Sequence, residues 1–268
     1  MLATRNLTFA YPNDPARPIF RALDLELPGS SLTAIIGPNG AGKSTLLRLL
    51  AGVMSDARHA TGDITLAGRI LGDISLHERA TRLAYMAQRG SASLVAFDFT
   101  VRAVCALGLH GRTFDPGAVH RVLERLDLVG EAGRVVHELS AGQQQRVSFA
   151  RALVQLEHQA PESRVLLADE PISAMDPRHA LATMRELKSI ARAGGTVGVV
   201  LHDVTTVLRH ADRVIALSDH GDILAQGSTH DVLEEGSPGQ ILERLYHIPF
   251  VHFGESRSRG AWVPADVQ

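Results

Sequence analysis

One stretch of the sequence limits the fold more than any other: GPNGAGKST, from Gly37 to Thr45. It follows the short apolar run SLTAII and leads into KSTLLRLLAG, where leucines recur at helical spacing until Gly52 ends the pattern. A strand, a glycine-rich turn and a helix together form an anion-binding site, because the N–H groups of the turn and the positive end of the helix point at one place. The sequence therefore predicts an α/β fold that binds phosphate.

The pattern G-x-x-x-x-G-K-[ST] also predicts what the members of this loop do. Lys43 is expected to reach the β and γ phosphates of a nucleotide, and the Ser44 hydroxyl to hold Mg²⁺. The other predicted nucleotide contacts are Gly37, Pro38, Asn39, Gly40, Ala41, Gly42 and Thr45. The alternative is a glycine-rich turn without a ligand, which the strand before it and the helix after it disfavour.

A second apolar run, RVLLADEP, ends in two acidic residues. Asp169 is predicted to bind the metal ion, and Glu170 to orient and deprotonate a water molecule for attack on the γ-phosphate. Adjacent side chains after a strand point in different directions, so the two carboxylates can take separate roles. The alternative is a strand that ends in a solvated acidic turn.

The remaining pattern predicts how the chain is organised. The strand-like runs RVLLADE, TVGVVLHD and RVIALSD alternate with helical stretches, which indicates a largely parallel sheet. LATRNLTFAY and LDLEL alternate apolar and polar residues, as strands exposed on one face do. Between about Gly90 and His158 the strand patterns disappear and helical ones replace them. We therefore predict a mostly helical subdomain inserted into an α/β core.

Composition limits the class of protein. A hydrophobic fraction of 45% and a charged fraction of 21% are ordinary for a soluble globular chain, and a net charge of -2 gives no sign of a nucleic-acid partner. The single cysteine, Cys105, cannot form an internal disulfide, which fits a reducing cytosol. No signal segment is evident, and apolar runs such as VGVVL are far shorter than the ~18 residues of a membrane span.

In their order along the chain, these motifs resemble those of the ATP-binding subunits of ABC transporters, from Leu2 to about Phe253. GPNGAGKST resembles the Walker A loop, VLLADE the Walker B strand with its catalytic glutamate, and LSAGQ at residues 139–143 the ABC signature. SAMD, which ends at Asp176, resembles the D-loop, and LHD resembles the segment of the switch histidine, here His202. The resemblance implies a P-loop NTPase (RecA-like) core with an N-terminal antiparallel β subdomain and an inserted α-helical subdomain.

The resemblance also implies boundaries and roles. Residues 1–268 would form a single ABC ATPase domain, with the nucleotide-binding core at 1–88 and 159–245, the helical subdomain at 89–158 and a tail at 246–268. The implied catalytic residues are Glu170, His202 and Gln88, and the implied metal ligands are Ser44, Gln88 and Asp169. Tyr11 would stack on adenine, with Phe9 as the alternative. The implied contacts from the signature and the D-loop are Ser140, Ala141, Gly142, Gln143 and Asp176.

A signature motif implies a head-to-tail homodimer in which each ATP lies between the P-loop of one subunit and the signature of the other. The helix expected to begin near Gln143 offers free N–H groups to the phosphates, and Ser140 adds a hydroxyl. Ala141 departs from the family pattern, because it stands where the signature usually has its first glycine. Ala87 and Ala168 are smaller departures that concern packing.

Several segments, among them RLAYMAQ, FTVRAVCALGLHGR and RLYHIPFV, resemble the subgroup that powers uptake of iron chelates, haem and cobalamin. The implied protein hydrolyses ATP with Mg²⁺ at the cytoplasmic face of the inner membrane. It would drive a separate polytopic permease that imports a ferric siderophore or haem, and act indirectly with a periplasmic binding protein. Cobalamin import is one alternative, and a non-transport ABC ATPase that clamps DNA or ribosomes is another. A P-loop kinase or GTPase is disfavoured by the signature.

Overall fold

The computed structural model describes residues 1–54, 60–88, 98–109, 115–235, 238–253 and 261–265. The predicted start of the helical subdomain at residue 89 lies outside these ranges, as do residues 254–260 and 266–268 of the predicted tail.

The strands, in chain order, are β1 (Leu2–Phe9), β2 (Phe20–Leu27), β3 (Ser31–Ile36), β4 (Ala60–Leu66), β5 (Arg69–Ile70), β6 (Leu83–Met86), β7 (Val165–Asp169), β8 (Thr196–Val200), β9 (Arg213–Leu217), β10 (Ile223–Ser228), β11 (Phe250–Phe253) and β12 (Ala261–Pro264). The α-helices are α1 (Lys43–Ala51), α2 (Leu76–Arg82), α3 (Val101–Ala106), α4 (Pro116–Arg125), α5 (Ala141–Leu156), α6 (Pro177–Arg192), α7 (Val204–His210) and α8 (Pro238–Tyr246).

A six-stranded sheet of order β10-β9-β3-β8-β7-β6 forms the centre of the molecule. The strands from β9 to β6 are parallel, and β10 pairs antiparallel with β9 at one edge. Every residue of β3, β7 and β8 is buried, as expected when a parallel sheet is covered on both faces. Successive residues of β3 face opposite sides, so Leu32 and Ile35 belong to separate hydrophobic clusters.

The register of this sheet brings several strand ends together. Met86 at the end of β6 pairs with Ala168 in β7, and Asp169 at the end of β7 pairs with Val200 at the end of β8. Because the strands are parallel, the residues that follow them lie along one edge of the sheet. Ligands of such sheets bind at the carboxyl ends of the strands, and the P-loop follows β3 at the same edge.

A second sheet of four antiparallel strands has the order β2-β1-β4-β5. Strand β2 buries Leu23, Leu25 and Leu27 and exposes the residues between them, which is the alternation that the sequence predicted. The fold therefore confirms the predicted α/β class with an N-terminal antiparallel sheet. The domain boundaries stay a prediction.

The segment predicted to be helical contains α3, α4 and α5 in its described residues. The Thr100 side chain caps α3, while Asp115 caps α4 ahead of a proline in its first turn, so each helix starts where its local sequence favours a start. α5 packs against α3, α4 and β6 and joins this segment to the parallel sheet.

The C-terminal segment contains β11 and β12, which form an antiparallel pair. Trp262 and His252 lie edge to face on this hairpin, with ring centroids 5.2 Å apart. Among the described residues, none of the helices has the length and apolar character needed to cross a membrane.

Candidate active site

The P-loop connects β3 to α1 and leaves the start of that helix uncapped. Gly42 precedes α1 with a φ of 86°, a left-handed conformation that glycine adopts without strain, and no side chain caps the helix. A Cβ at Gly42 would also lie 2.7 Å from Ile19 Cγ2. The first N–H groups of α1 therefore remain available to an anion.

Lys43 lies across this loop and is only 6% exposed. Its ammonium donates hydrogen bonds to the carbonyl oxygens of Gly37 and Pro38, both at 2.7 Å. Burial lowers the pKa of Lys43, and the nearby charges of Glu170 and Asp169 oppose that effect. A phosphate group would replace the loop carbonyls as the partner of this buried cation.

Asp169 has the features of a metal ligand. It is fully buried, and neither carboxylate oxygen has a hydrogen-bond partner in the described chain. Burial is the main reason that the pKa of Asp169 is raised, and the nearby Ser44 hydroxyl lowers it in part. The contact between Ser44 and Asp169 does not have the geometry of a hydrogen bond. A buried carboxylate without partners beside a hydroxyl is a donor set that suits Mg²⁺, so the residues fit the predicted ion.

Glu170, Gln88 and His202 meet at the shared edge of the sheet. Gln88 Nε2 donates to Glu170 Oε1 at 2.6 Å, and His202 Nε2 lies 2.6 Å from the same oxygen. No hydrogen bond within the described residues uses Glu170 Oε2. Two neighbours therefore fix the orientation of the carboxylate while its second oxygen can accept a proton.

Tyr11 is the better placed of the two candidates for adenine stacking. Phe9 is fully buried in the core, whereas Tyr11 is partly exposed. The two rings lie edge to face, with their centroids 5.1 Å apart. The Tyr11 hydroxyl lies 2.9 Å from Thr45 Oγ1, which places the ring beside the P-loop helix. Burial thus removes Phe9 as a stacking surface, and the role of Tyr11 stays a prediction.

The signature motif forms the start of α5, which begins at Ala141, before the start near Gln143 that the sequence predicts. Ser140 Oγ accepts a bond from the Gln143 N–H, and Gln143 Oε1 accepts one from the Ser140 N–H. The Gln143 amide also donates to Glu131, so this side chain supports the turn in the structure. The N–H groups of Ala141 and Gly142 take part in no hydrogen bond of the described chain, so they are the free donors here.

The signature lies beside the D-loop of its own chain. A Cβ on Gly142 would lie 2.7 Å from the carbonyl oxygen of Ala174, and Asp176 caps α6 and pairs with His179 at 2.6 Å. That contact with His179 lowers the pKa of Asp176. Across the described residues, no hydrogen bond or ion pair joins the signature to the P-loop. The chain therefore assembles one group of the predicted residues around the P-loop and a second group around the signature.

We predict different effects on ATP turnover for substitutions at Ala141 and at Gly142. Ala141 is helical and is not among the described residues with positive φ, so we expect Ala141→Gly to change ATP turnover by less than about twofold and to lower stability by at most about 1 kcal/mol. Gly142→Ala should reduce turnover about tenfold or more, because its methyl group would displace the Ala174 carbonyl. Steady-state ATPase rates of the two variants test this. A larger loss in Ala141→Gly than in Gly142→Ala would contradict it.

Comparison with known proteins agrees with this geometry. A family model described as ABC transporter matches residues 20–173, more than half of the 268 residues. The chain belongs to the ABC transporter family. Within that family it is the ATP-binding component, and it is an ATPase of the ABC type. The match covers the P-loop, the signature, and both Asp169 and Glu170.

Individual relatives extend the similarity beyond the ATPase motifs. Hemin import ATP-binding protein HmuV of Rhizobium meliloti strain 1021 is 36% identical over 230 residues, which cover 82% of this chain and 83% of the relative. The protein of the same name from Streptomyces coelicolor is 38% identical over 248 residues, or 90% of this chain and 82% of the relative. A chain of a metal-chelate type ABC transporter, solved in an inward-facing conformation, superposes with a TM-score of 0.75 at 25% identity, covering 98% and 97% of the two chains.

One residue that sequence reasoning did not single out contacts this site. Gln145 in α5 is 4% exposed, and its amide bonds to the chain at Glu170 and Ala174. Its signal in the sequence was weak, since it is the last of three consecutive glutamines. Only the packing of α5 against the segment after β7 distinguishes it from Gln144.

Proposed function

We propose that this chain hydrolyses Mg²⁺-ATP as one subunit of a homodimer and powers the import of haem or a ferric siderophore through a separate polytopic membrane permease. The observation that carries the catalytic part is the convergence of Lys43, Asp169 and the Glu170 cluster at one edge of the sheet. Similarity to hemin import proteins over most of the chain supports the choice of substrate class.

The roles at the P-loop follow from charge and burial. The uncapped start of α1 and the Lys43 ammonium bind the phosphates of ATP, while Tyr11 stacks on the adenine ring. Ser44 and Asp169 hold Mg²⁺, with Gln88 nearby, and the ion supplies positive charge to the β and γ phosphates. Mg²⁺ would give the buried oxygens of Asp169 a partner, which they lack without the ion.

The roles at Glu170 follow from its hydrogen bonds. Glu170 Oε2 accepts a proton from the attacking water, while Gln88 and His202 hold Oε1 in place. His202 is 43% exposed, so its ring also reaches outward to contact the γ-phosphate. Gln88 stands after β6, directly before the predicted helical subdomain, and can transmit the state of the nucleotide to the permease.

A dimer completes the site. The P-loop surrounds the triphosphate from one side, and no contact within the described chain brings its own signature to the other side. The free N–H groups of Ala141 and Gly142, with the Ser140 hydroxyl, fit the exposed side of ATP held by a second subunit. ATP then stabilises the dimer by binding both subunits, and ATP hydrolysis lets the two subunits separate.

We place the dimer at the cytoplasmic face of the inner membrane, where it contacts the permease and acts indirectly with a periplasmic binding protein. The net charge of -2 gives no sign of the overall positive charge that favours binding to nucleic acid. A clamp on DNA or ribosomes therefore has less support than transport.

Reconstitution tests the substrate class. The ATPase is purified with its permease, inserted into lipid vesicles, and given haem, ferric siderophores or cobalamin together with the binding protein. We expect haem or a ferric siderophore to stimulate both ATP hydrolysis and uptake, and Glu170→Gln complexes to show neither. Stimulation by cobalamin alone would contradict the iron-chelate proposal, and stimulation by DNA or ribosomes without a permease would contradict transport.

A further inference from the structure

Gln145 connects the signature helix to the catalytic segment of its own chain. Its Nε2 donates to the Glu170 carbonyl at 2.5 Å and to Ser173 Oγ at 3.2 Å, and its Oε1 accepts from the Ala174 N–H at 2.9 Å. The residue is 4% exposed, so water does not compete strongly for these bonds. A single amide thus holds both ends of the segment from Glu170 to Ala174.

This segment needs to be held because Glu170 adopts an unusual backbone conformation. Its φ is 50°, in the left-handed region, which residues other than glycine adopt only when their surroundings enforce it. The Gln145 bond is made to the carbonyl of that same residue. The direction in which the Glu170 side chain points, toward Gln88 and His202, therefore depends on a residue of the signature helix.

The same helix carries the signature at its start. Gly142 lies against the Ala174 carbonyl with no room for a Cβ, one turn before Gln145 bonds to the Ala174 N–H. A rigid helix segment held at both points moves together with the segment that it contacts. A shift at the signature is therefore passed to the backbone of Glu170.

We propose that Gln145 is a positioning residue. It couples the ATP bound by the partner subunit to the orientation of the Glu170 side chain in its own subunit. The inference rests on the proposed head-to-tail dimer, in which the signature contacts the partner's ATP. When the signature moves toward that ATP, Gln145 transfers the movement to the Glu170 carbonyl. Hydrolysis in one site thereby depends on nucleotide in the other.

The test compares two buried glutamines of α5. Gln145→Met removes the amide and keeps the length of the side chain. The control, Gln155→Met, removes bonds of similar length to the carbonyls of Ala80 and Leu83, away from the site. We expect Gln145→Met to lower kcat about 10- to 100-fold while KM for ATP and ATP-dependent dimerisation change less than about twofold. The control should lose as much thermal stability and keep its kcat.

Gln145→Glu provides a second variant should Gln145→Met fold poorly. It keeps an acceptor for the Ala174 N–H but removes the donor to the Glu170 carbonyl, so kcat should fall in the same way. Equal falls in kcat for Gln145→Met and Gln155→Met would show a structural role and overturn the inference. Unchanged kcat in both Gln145 variants, with ATP-dependent wild-type dimers present, would also overturn it. Wild-type protein that forms no such dimers would instead overturn the proposed function.

Discussion

Glu170→Gln should reduce ATP hydrolysis about 10²- to 10⁴-fold, the range that a general base contributes. The substitution keeps the size of the side chain and an oxygen that can accept from Gln88, but it removes the carboxylate that takes the proton of water. ATP binding uses the P-loop and Lys43, so it should persist. The variant is therefore expected to accumulate as an ATP-bound dimer, which size-exclusion chromatography with and without Mg²⁺-ATP would detect.

Glu186→Gln is a matched control for this prediction. Glu186 lies on α6, pairs with Arg125 at 3.8 Å and takes no part in the site, so the same change of charge should leave hydrolysis near the wild-type rate. Near wild-type hydrolysis in Glu170→Gln would remove the general base from the mechanism. A variant that no longer binds ATP would place Glu170 in binding and not in proton transfer.

Asp169→Asn should have two opposite effects. Without nucleotide, we expect the free energy of unfolding to rise by about 1 kcal/mol, because the substitution removes a buried charge whose oxygens have no partner. With ATP, the variant should lose the additional stabilisation that Mg²⁺ provides. For the wild type this stabilisation is about 4 kcal/mol when the ligand concentration is about 1,000 times Kd.

Thermal unfolding with ATP plus a chelator, and with ATP plus Mg²⁺, separates the two effects. The wild type and Asp169→Asn should respond alike to ATP with the chelator, and only the wild type should gain from Mg²⁺. Asp63→Asn is the control, since Asp63 is exposed on β4 and its loss changes the net charge equally. An Mg²⁺ response of normal size in Asp169→Asn would exclude this carboxylate as a metal ligand.

Burial and helix ends were predicted well where the cause is local. The alternation in β2 and the end of α1 before Gly52 each follow from a few neighbouring residues. The start of α5 was misplaced by two residues, because the polar run of glutamines hides a reciprocal cap between Ser140 and Gln143.

Contacts between distant segments could not be predicted in the same way. The choice between Phe9 and Tyr11 depends on which ring the core covers. The effect of the methyl group at Ala141 depends on the backbone conformation at the helix start, which the letters LSAGQ leave open.

The α/β class, the phosphate loop and the order of the motifs can be read from the amino-acid sequence alone, because the conformations of glycine turns, capped helices and apolar strands depend on neighbouring residues. It is only in the folded chain that Gln88 and His202 contact the same carboxylate oxygen of Glu170, and that Gln145 bonds to the Glu170 carbonyl. These contacts depend on the register of parallel strands and on the packing of α5, which join residues that are far apart in the chain.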